Sequence, residues 1–295
     1  MEEQENCETK IRGCFNMTEK QAIQKMGEDI RFRNLSESTY RNYTRNVRKF
    51  FAFCQKPLEE LDENDVRRFL HYLIEEKKLE PSSVNSYSAS IRFLFAISLN
   101  RTMNYLQMPR MKVPKKLPGV LTREETSALL RVCTNSKHRA LLLLAYGSGL
   151  RCGEIEKLRV KDIDSKEMRI FIKGGKNNRD RYALLPQTTL DALRTYWKEY
   201  RPNSPEGWLF PGFRNIGHLT WAAIALAFDT CKERAGITKE VSPHSLRHAF
   251  ATHLLEDGVE LIKIKELLCH YRISSTMIYL HLSNTTKGIV SPADK

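Results

Sequence analysis

Apolar residues recur at helical spacing through the first third of the chain, from Ala22 to about Asn104, and predict an all-helical block. Ser36 or Ser38 stands where it can cap a helix whose face carries Tyr40, Tyr43, Val47, Phe50 and Phe51. A second helix is expected from Asp62 to Leu73, with Val66, Phe69, Leu70 and Leu73 on one side behind an Asp62-Glu63-Asn64-Asp65 start of capping-box type. Ser82 to Leu99 reads as a third, its apolar side formed by Val84, Tyr87, Ile91, Leu94 and Phe95. Aromatic stripes at this spacing build a core. Arg41, Arg45, Arg48, Lys49, Arg67 and Arg68 fall between the apolar positions, so the block presents a basic exterior. Residues 1–19 lack this periodicity and read as a loose arm.

The helical pattern stops at residues 108–121, where Pro109, Pro114 and Pro118 alternate with lysines and predict an extended linker. It resumes at Thr122, where that residue or its neighbours can cap a helix, and Arg139 to Tyr146 is apolar enough to form a buried one. Gly147-Ser148-Gly149 then interrupts the chain, and Leu150 to Ile155 restarts a helix with Arg151 at its entrance. Met168 to Ile172 and Arg181 to Leu185 read as two strands of a hairpin around the Gly- and Asn-rich turn from Lys173 to Asp180. Ser242-Pro243 is a strong helix start; Leu246, Phe250 and Leu254 line one side of that helix, while His244 and Arg247 share another. Ile264 to His270, a turn at Tyr271-Arg272 and a last segment to Tyr279 complete the pattern. The expectation is a mainly α protein with a small β-sheet in its second half. Its domains are expected at 20–107 and 122–285, with a tail at 286–295.

Charge adds a partner. The formal net charge is +13 and the pI about 9.4, which suits a polyanion. Between Arg101 and Arg123 the chain carries Arg110, Lys112, Lys115 and Lys116 and no acidic residue, a stretch able to lie along phosphates. Arg41 and Arg45 are further candidates for such contacts. The seven cysteines are odd in number and form no C-x-x-C, which argues for a reducing compartment and against a metal finger. The acidic Met1-Glu2-Glu3-Gln4-Glu5 start is unlike a signal peptide, and the apolar run from Ala140 to Tyr146 is too short to cross a bilayer. A soluble, cytoplasmic protein without a membrane partner is expected.

The chemistry lies in the second half. A nucleophile that attacks a phosphodiester without a metal needs an oxygen nucleophile, fixed cations for the phosphoryl oxygens and a proton donor for the leaving alcohol. In order, the chain offers Gly149-Leu150-Arg151-Cys152-Gly153-Glu154, the Gly175-Lys176 turn, Pro243-His244-Ser245-Leu246-Arg247-His248, Leu267-Leu268-Cys269-His270 and Ile278-Tyr279. This ordered set resembles the tyrosine recombinases, the lambda-integrase-like site-specific recombinases. The helical block that opens at Ser36 to Phe53 is similar to the core-binding domain of their Xer- and integron-type members. Together the resemblances cover most of the chain.

The resemblance implies a two-domain DNA clamp, a helical core-binding domain plus an α+β catalytic domain. It implies Tyr279 as nucleophile, Arg151, Arg247, His244 and His270 around the phosphate, and a hairpin lysine that protonates the departing 5′ oxygen. That lysine is Lys176 in one alignment and Lys173 in an alignment slipped by three residues. Glu154 and His248 are expected to support the site, and His253 and His281 to have no chemistry. His244 and His248 also have the i,i+4 spacing of a zinc pair, but a guanidinium between them opposes a cation. Metal binding is therefore the weaker reading, and no cofactor is expected. One departure stands out: Cys269 occupies a position where the family usually has Gly.

The expected reaction is DNA cleavage and rejoining through a 3′-phosphotyrosyl intermediate, with strands exchanged via a Holliday junction, for a mobile element. The expected assembly is a monomer in solution and a homotetramer on specific recombination sites, with an accessory recombinase or DNA-bending protein as a possible partner. A type IB topoisomerase-like relaxing enzyme and a silent architectural DNA-binding factor are the alternatives.

Overall fold

The computed structural model describes residues 17–104, 110–114, 119–174, 180–270 and 272–282. The chain divides into two compact units, Met1–Lys115 and Lys116–Lys295. Among the described residues no helix is long and apolar enough to cross a membrane.

The first unit is helical. Helix α1 (Glu19–Phe32) begins earlier than its apolar periodicity suggests, because Thr18 and Gln21 form a reciprocal capping box. Ser36 caps α2 (Glu37–Cys54), and Asp62 with Asp65 boxes α3 (Glu63–Glu75). Pro81 opens α4 (Pro81–Phe93), where a missing N–H costs nothing. The single third helix expected from sequence is instead α4 followed by a π-helical turn at Leu94–Ser98.

Phe50, Phe69 and Phe95 sit at the centre of this unit, with Phe50 edge-on to Phe69 at 5.4 Å and to Phe95 at 6.3 Å. A polar ladder joins α2 to α4: Asn42 donates to Ser86 at 2.9 Å and Asn46 to Ser90 at 3.0 Å. Asn85 holds Met111 by both its backbone groups, at 2.9 Å each, and so ties the start of the proline-bearing stretch to α4. Arg41 and Arg45 are exposed on α2, Arg41 paired with Glu37 at 3.3 Å and Arg45 donating to Asn42 at 2.7 Å. Arg110 and Lys112 are also exposed, while Lys115 and Lys116 lie outside the described residues.

In the second unit Thr122 caps α5 (Arg123–Arg131), and Asn135 caps α6 (Ser136–Tyr146). Ala140 to Ala145 are all buried, so the second half of α6 is apolar all round and runs through the core. A short helix α7 (Cys152–Ile155) leads to a three-stranded antiparallel sheet of β1 (Ile163–Asp164), β2 (Arg169–Ile172) and β3 (Arg181–Leu184) in that order. Ile170 pairs with Ala183 and Ile172 with Arg181. β1 has only two residues, too few for any alternation to reveal it from sequence. Helices α8 (Gln187–Tyr200) and α9 (Trp221–Arg234) pack on α6, and α10 (Pro243–Glu256), α11 (Leu261–Leu268) and α12 (Ser274–Leu282) close the unit.

Candidate active site

Five of the six residues singled out as catalytic in the sequence are described, and all five lie in the second unit. Gly149 sets the first of them. Its φ is +62°, and a Cβ there would meet the Phe250 ring at 2.6 Å, so only glycine fits. The chain then turns into α7 with Arg151 as its N-cap. Glu154, in the first turn, accepts from the Arg151 backbone N–H at 2.9 Å and from Arg151 Nη1 at 2.8 Å.

Glu154 is the negative hub of the site. Arg181, from β3, presents both ends of its fork to the two carboxylate oxygens at 2.8 Å each. Arg247 Nη1 is 3.8 Å away. Burial alone would raise the carboxyl pKa, but Arg181, the Arg151 backbone and Arg247 hold it down at about 2.

Ser242 and Pro243 start α10, which carries Arg247 inward until it is 1% exposed. Its guanidinium donates to the Gly149 carbonyl at 2.5 Å and to the Leu268 carbonyl at 2.6 Å. Arg151 Nη2 reaches the same Leu268 oxygen at 3.4 Å. Leu268 ends α11, where carbonyls lack intrahelical partners and the helix dipole is negative, and this draws two cations together. Burial and then Arg151 pull the Arg247 pKa down to about 9, which leaves it charged at neutral pH.

Cys269 caps α11 in the left-handed region, with φ 49°. This explains the departure noted above: the backbone here favours glycine, and cysteine is held there against its preference. Relief of about 1–2 kcal/mol in the fold, less the greater freedom of an unfolded glycine, leads to the expectation that Cys269→Gly stabilises the chain by about 0.5–1 kcal/mol. Thermal unfolding should show a Tm raised by roughly 1–4 °C. A lower Tm would mean that packing of the thiol outweighs the backbone cost.

The turn delivers His270, whose Nε2 lies 3.4 Å from Arg247 Nη2 and whose Nδ1 lies 2.9 Å from Thr276 Oγ1. A guanidinium only donates, so Nε2 accepts and the ring proton is on Nδ1, facing Thr276. Burial, then Arg247 and Arg151, push the ring pKa down to about 3, so it is neutral. Tyr279 on α12 is 1% exposed, and its ring lies nearly parallel to His270, with centroids 6.2 Å apart. Burial raises its pKa while Arg247 and Arg151 oppose the rise.

His248, expected only as support, touches the tyrosine directly: its Nδ1 is 3.2 Å from Tyr279 Oη. His244 is exposed on the same helix, its ring edge-on to His248 at 4.7 Å. His253 bonds Tyr146 Oη through Nδ1 at 3.1 Å, a structural contact away from Tyr279.

A cavity of about 250 Å³ beside Arg151 is lined by Gly153, Glu154, Phe171 and Lys173. Lys173 is exposed at the start of the hairpin turn, which Asp180 closes by accepting from the Gly174 N–H at 2.7 Å. Lys176 lies outside the described residues. Sequence reasoning missed Arg181 and Thr276. The signal for Arg181 was its place at the end of the Gly-Lys turn; nothing local marked Thr276.

A family model described as the phage integrase family matches residues 119–286, and one described as its N-terminal SAM-like domain matches residues 23–104. The chain belongs to the phage integrase family. It is similar to the tyrosine recombinase XerC of Oceanobacillus iheyensis, with 33% identity over 85% of this chain and 88% of that protein. It is also similar to an integrase/recombinase of Escherichia coli, with 30% identity over 92% of this chain and 93% of that one. Among solved structures, XerH site-specific recombinase bound to palindromic difH substrate matches at a TM-score of 0.68 with 22% identity, covering 95% of this chain and 87% of that one. The fold is thus that of a two-domain recombinase, and the chain is a tyrosine-type site-specific recombinase. In this recombinase Tyr279 is buried against His248 and His270.

Proposed function

We propose that this recombinase cleaves and rejoins DNA at specific sites through a 3′-phosphotyrosyl bond on Tyr279, exchanging strands via a Holliday junction in the service of a mobile element. One observation carries the reading. Two guanidiniums, Arg247 and Arg151, converge on the Leu268 carbonyl beside a buried tyrosine. A scissile phosphate that displaces that carbonyl would meet an N–H of each guanidinium. They stabilise the charge that builds on the nonbridging oxygens as Tyr279 attacks phosphorus. His244 adds a hydrogen bond to the same oxygens, His270 joins it once a phosphate takes the place of Arg247 at Nε2 and the ring proton moves there, and Glu154 holds the arginines in place. The departing 5′ oxygen takes its proton from the hairpin lysine, Lys176 or Lys173. The bond to Tyr279 conserves the phosphodiester energy, so a second 5′-hydroxyl can reverse the step on another strand without a nucleotide cofactor.

In this reading residues 20–107 and 122–285 clamp the duplex. Arg41, Arg45, Arg110, Lys112, Lys115 and Lys116 contact its phosphates. The protein is a cytoplasmic monomer when free and a homotetramer on paired sites, with or without an accessory recombinase or DNA-bending protein. A nicked suicide duplex, which loses its 5′ fragment after cleavage, provides the test. A covalent adduct should form at an unchanged rate in EDTA, because the cations are side chains, and an added 5′-hydroxyl strand should be joined in trans. Adduct formation that requires magnesium would overturn the mechanism. Adducts that reseal only in cis would point to a relaxing enzyme.

A further inference from the structure

Among the described residues Tyr279 Oη has one hydrogen-bond partner, His248 Nδ1 at 3.2 Å. The tyrosine is 1% exposed, and a buried O–H needs an acceptor, so the phenol donates and Nδ1 is the lone pair. The other two histidines are differently engaged. His270 has both nitrogens occupied, by Thr276 and by Arg247, and lies against the face of the Tyr279 ring. His244 meets the His248 ring instead.

We propose that His248 is a catalytic residue: the base that takes the proton from Tyr279 as its oxygen attacks phosphorus. The proposal rests on Tyr279 being the nucleophile. As the Oη–P bond forms and the P–O5′ bond breaks, the O–H electron pair stays on Oη and the proton passes to Nδ1, giving an imidazolium. The 5′ oxygen takes its own proton from the hairpin lysine. On rejoining, the 5′-hydroxyl attacks phosphorus and gives its proton back to the hairpin lysine, the Oη–P bond breaks, and His248 returns its proton to Oη.

The surroundings make this transfer conditional on DNA. His248 is faced by His244 and Arg247 on α10, by Tyr279 on α12 and by His270 beyond α11, and Arg151 lies close to the last two. Burial, then His244 and Arg247, keep the ring neutral, its pKa pushed down to about 4. An imidazolium there is disfavoured until a phosphate brings compensating negative charge. The tyrosine therefore stays protonated, and inert, in the absence of substrate.

The test measures single-turnover attachment to a nicked duplex at saturating DNA across pH, for H248A and H248N, each with tyrosine or difluorotyrosine at position 279. Loss of the base should slow attachment by about 10²–10⁴-fold with DNA affinity little changed, while Tm falls in H248A, where the buried O–H loses its acceptor, more than in H248N. Asn can accept a hydrogen bond in place of Nδ1 but cannot hold the proton, so H248N should be as slow as H248A. If one variant fails to fold, the other carries the comparison. Difluorotyrosine, a more acidic phenol, should restore much of the rate at alkaline pH, which a purely structural role would not allow. A wild-type rate in either variant, or no rescue by the acidic phenol, overturns the proposal. Attachment of the wild-type chain at a residue other than Tyr279 overturns the nucleophile reading itself, and this proposal with it.

Discussion

Tyr279→Phe should yield no covalent DNA adduct under any condition in which the wild-type chain forms one. Only an oxygen is removed. The phenylalanine ring still fills the buried site against His270, and the single hydrogen bond lost is the one to His248 Nδ1. Such a bond contributes about 0.5–1.5 kcal/mol, so the chain should fold and bind DNA within about tenfold of the wild-type affinity. Electrophoresis of denatured complexes with labelled DNA reads the adduct, and a band shift reads the binding. An adduct that persists would move the nucleophile elsewhere, with Tyr271 the nearest alternative in sequence.

Glu154→Ala should have the largest effect on stability. The carboxylate is 8% exposed and neutralises Arg181, itself 7% exposed, as well as Arg151, with Arg247 close by. Its removal leaves buried guanidiniums facing one another, which typically costs about 3–5 kcal/mol. For a unit of this size that corresponds to a Tm lower by roughly 10 °C. The pH dependence has a definite sign. The folded pKa is depressed from 4.5 to about 2, so the stabilisation is complete above about pH 4.5 and is lost as pH falls toward 2. The amount lost is about 3 kcal/mol at 1.36 kcal/mol per pKa unit. Urea unfolding of the wild-type chain between pH 5 and pH 2 should therefore fall more steeply than that of the variant; parallel profiles would show that Glu154 does not hold the arginine cluster.

What the sequence by itself determined is local. Caps at Ser36, Asp62 and Thr122 are legible because a short polar side chain satisfies an N–H three residues on, within reach of the chain's own order, and Ser242-Pro243 because proline suits a helix's first position. The burial of α6 and the hairpin at β2 and β3 follow from hydrophobic period and turn residues. So does the presence of Arg151, Arg247, His244, His270 and Tyr279 as an ordered set, since a motif is a statement about order. The π-helical turn at Leu94–Ser98 left no mark in the apolar pattern, which continues unbroken through it.

The tertiary structure alone decided who meets whom. Arg181 reaches Glu154 from 27 positions away, and nothing near either residue announces the other. The acceptor that gathers Arg247 and Arg151 is a backbone carbonyl, which every residue carries and only the end of α11 leaves free. His248 reads as support from the sequence, although at i,i+4 it shares a face of α10 with His244. It reaches the tyrosine only because α12 folds back onto α10 and places Oη against its ring. Side-chain identity is written in the chain, but hydrogen-bond partnership is a distance, and distances between residues far apart in sequence exist only after the helices have packed.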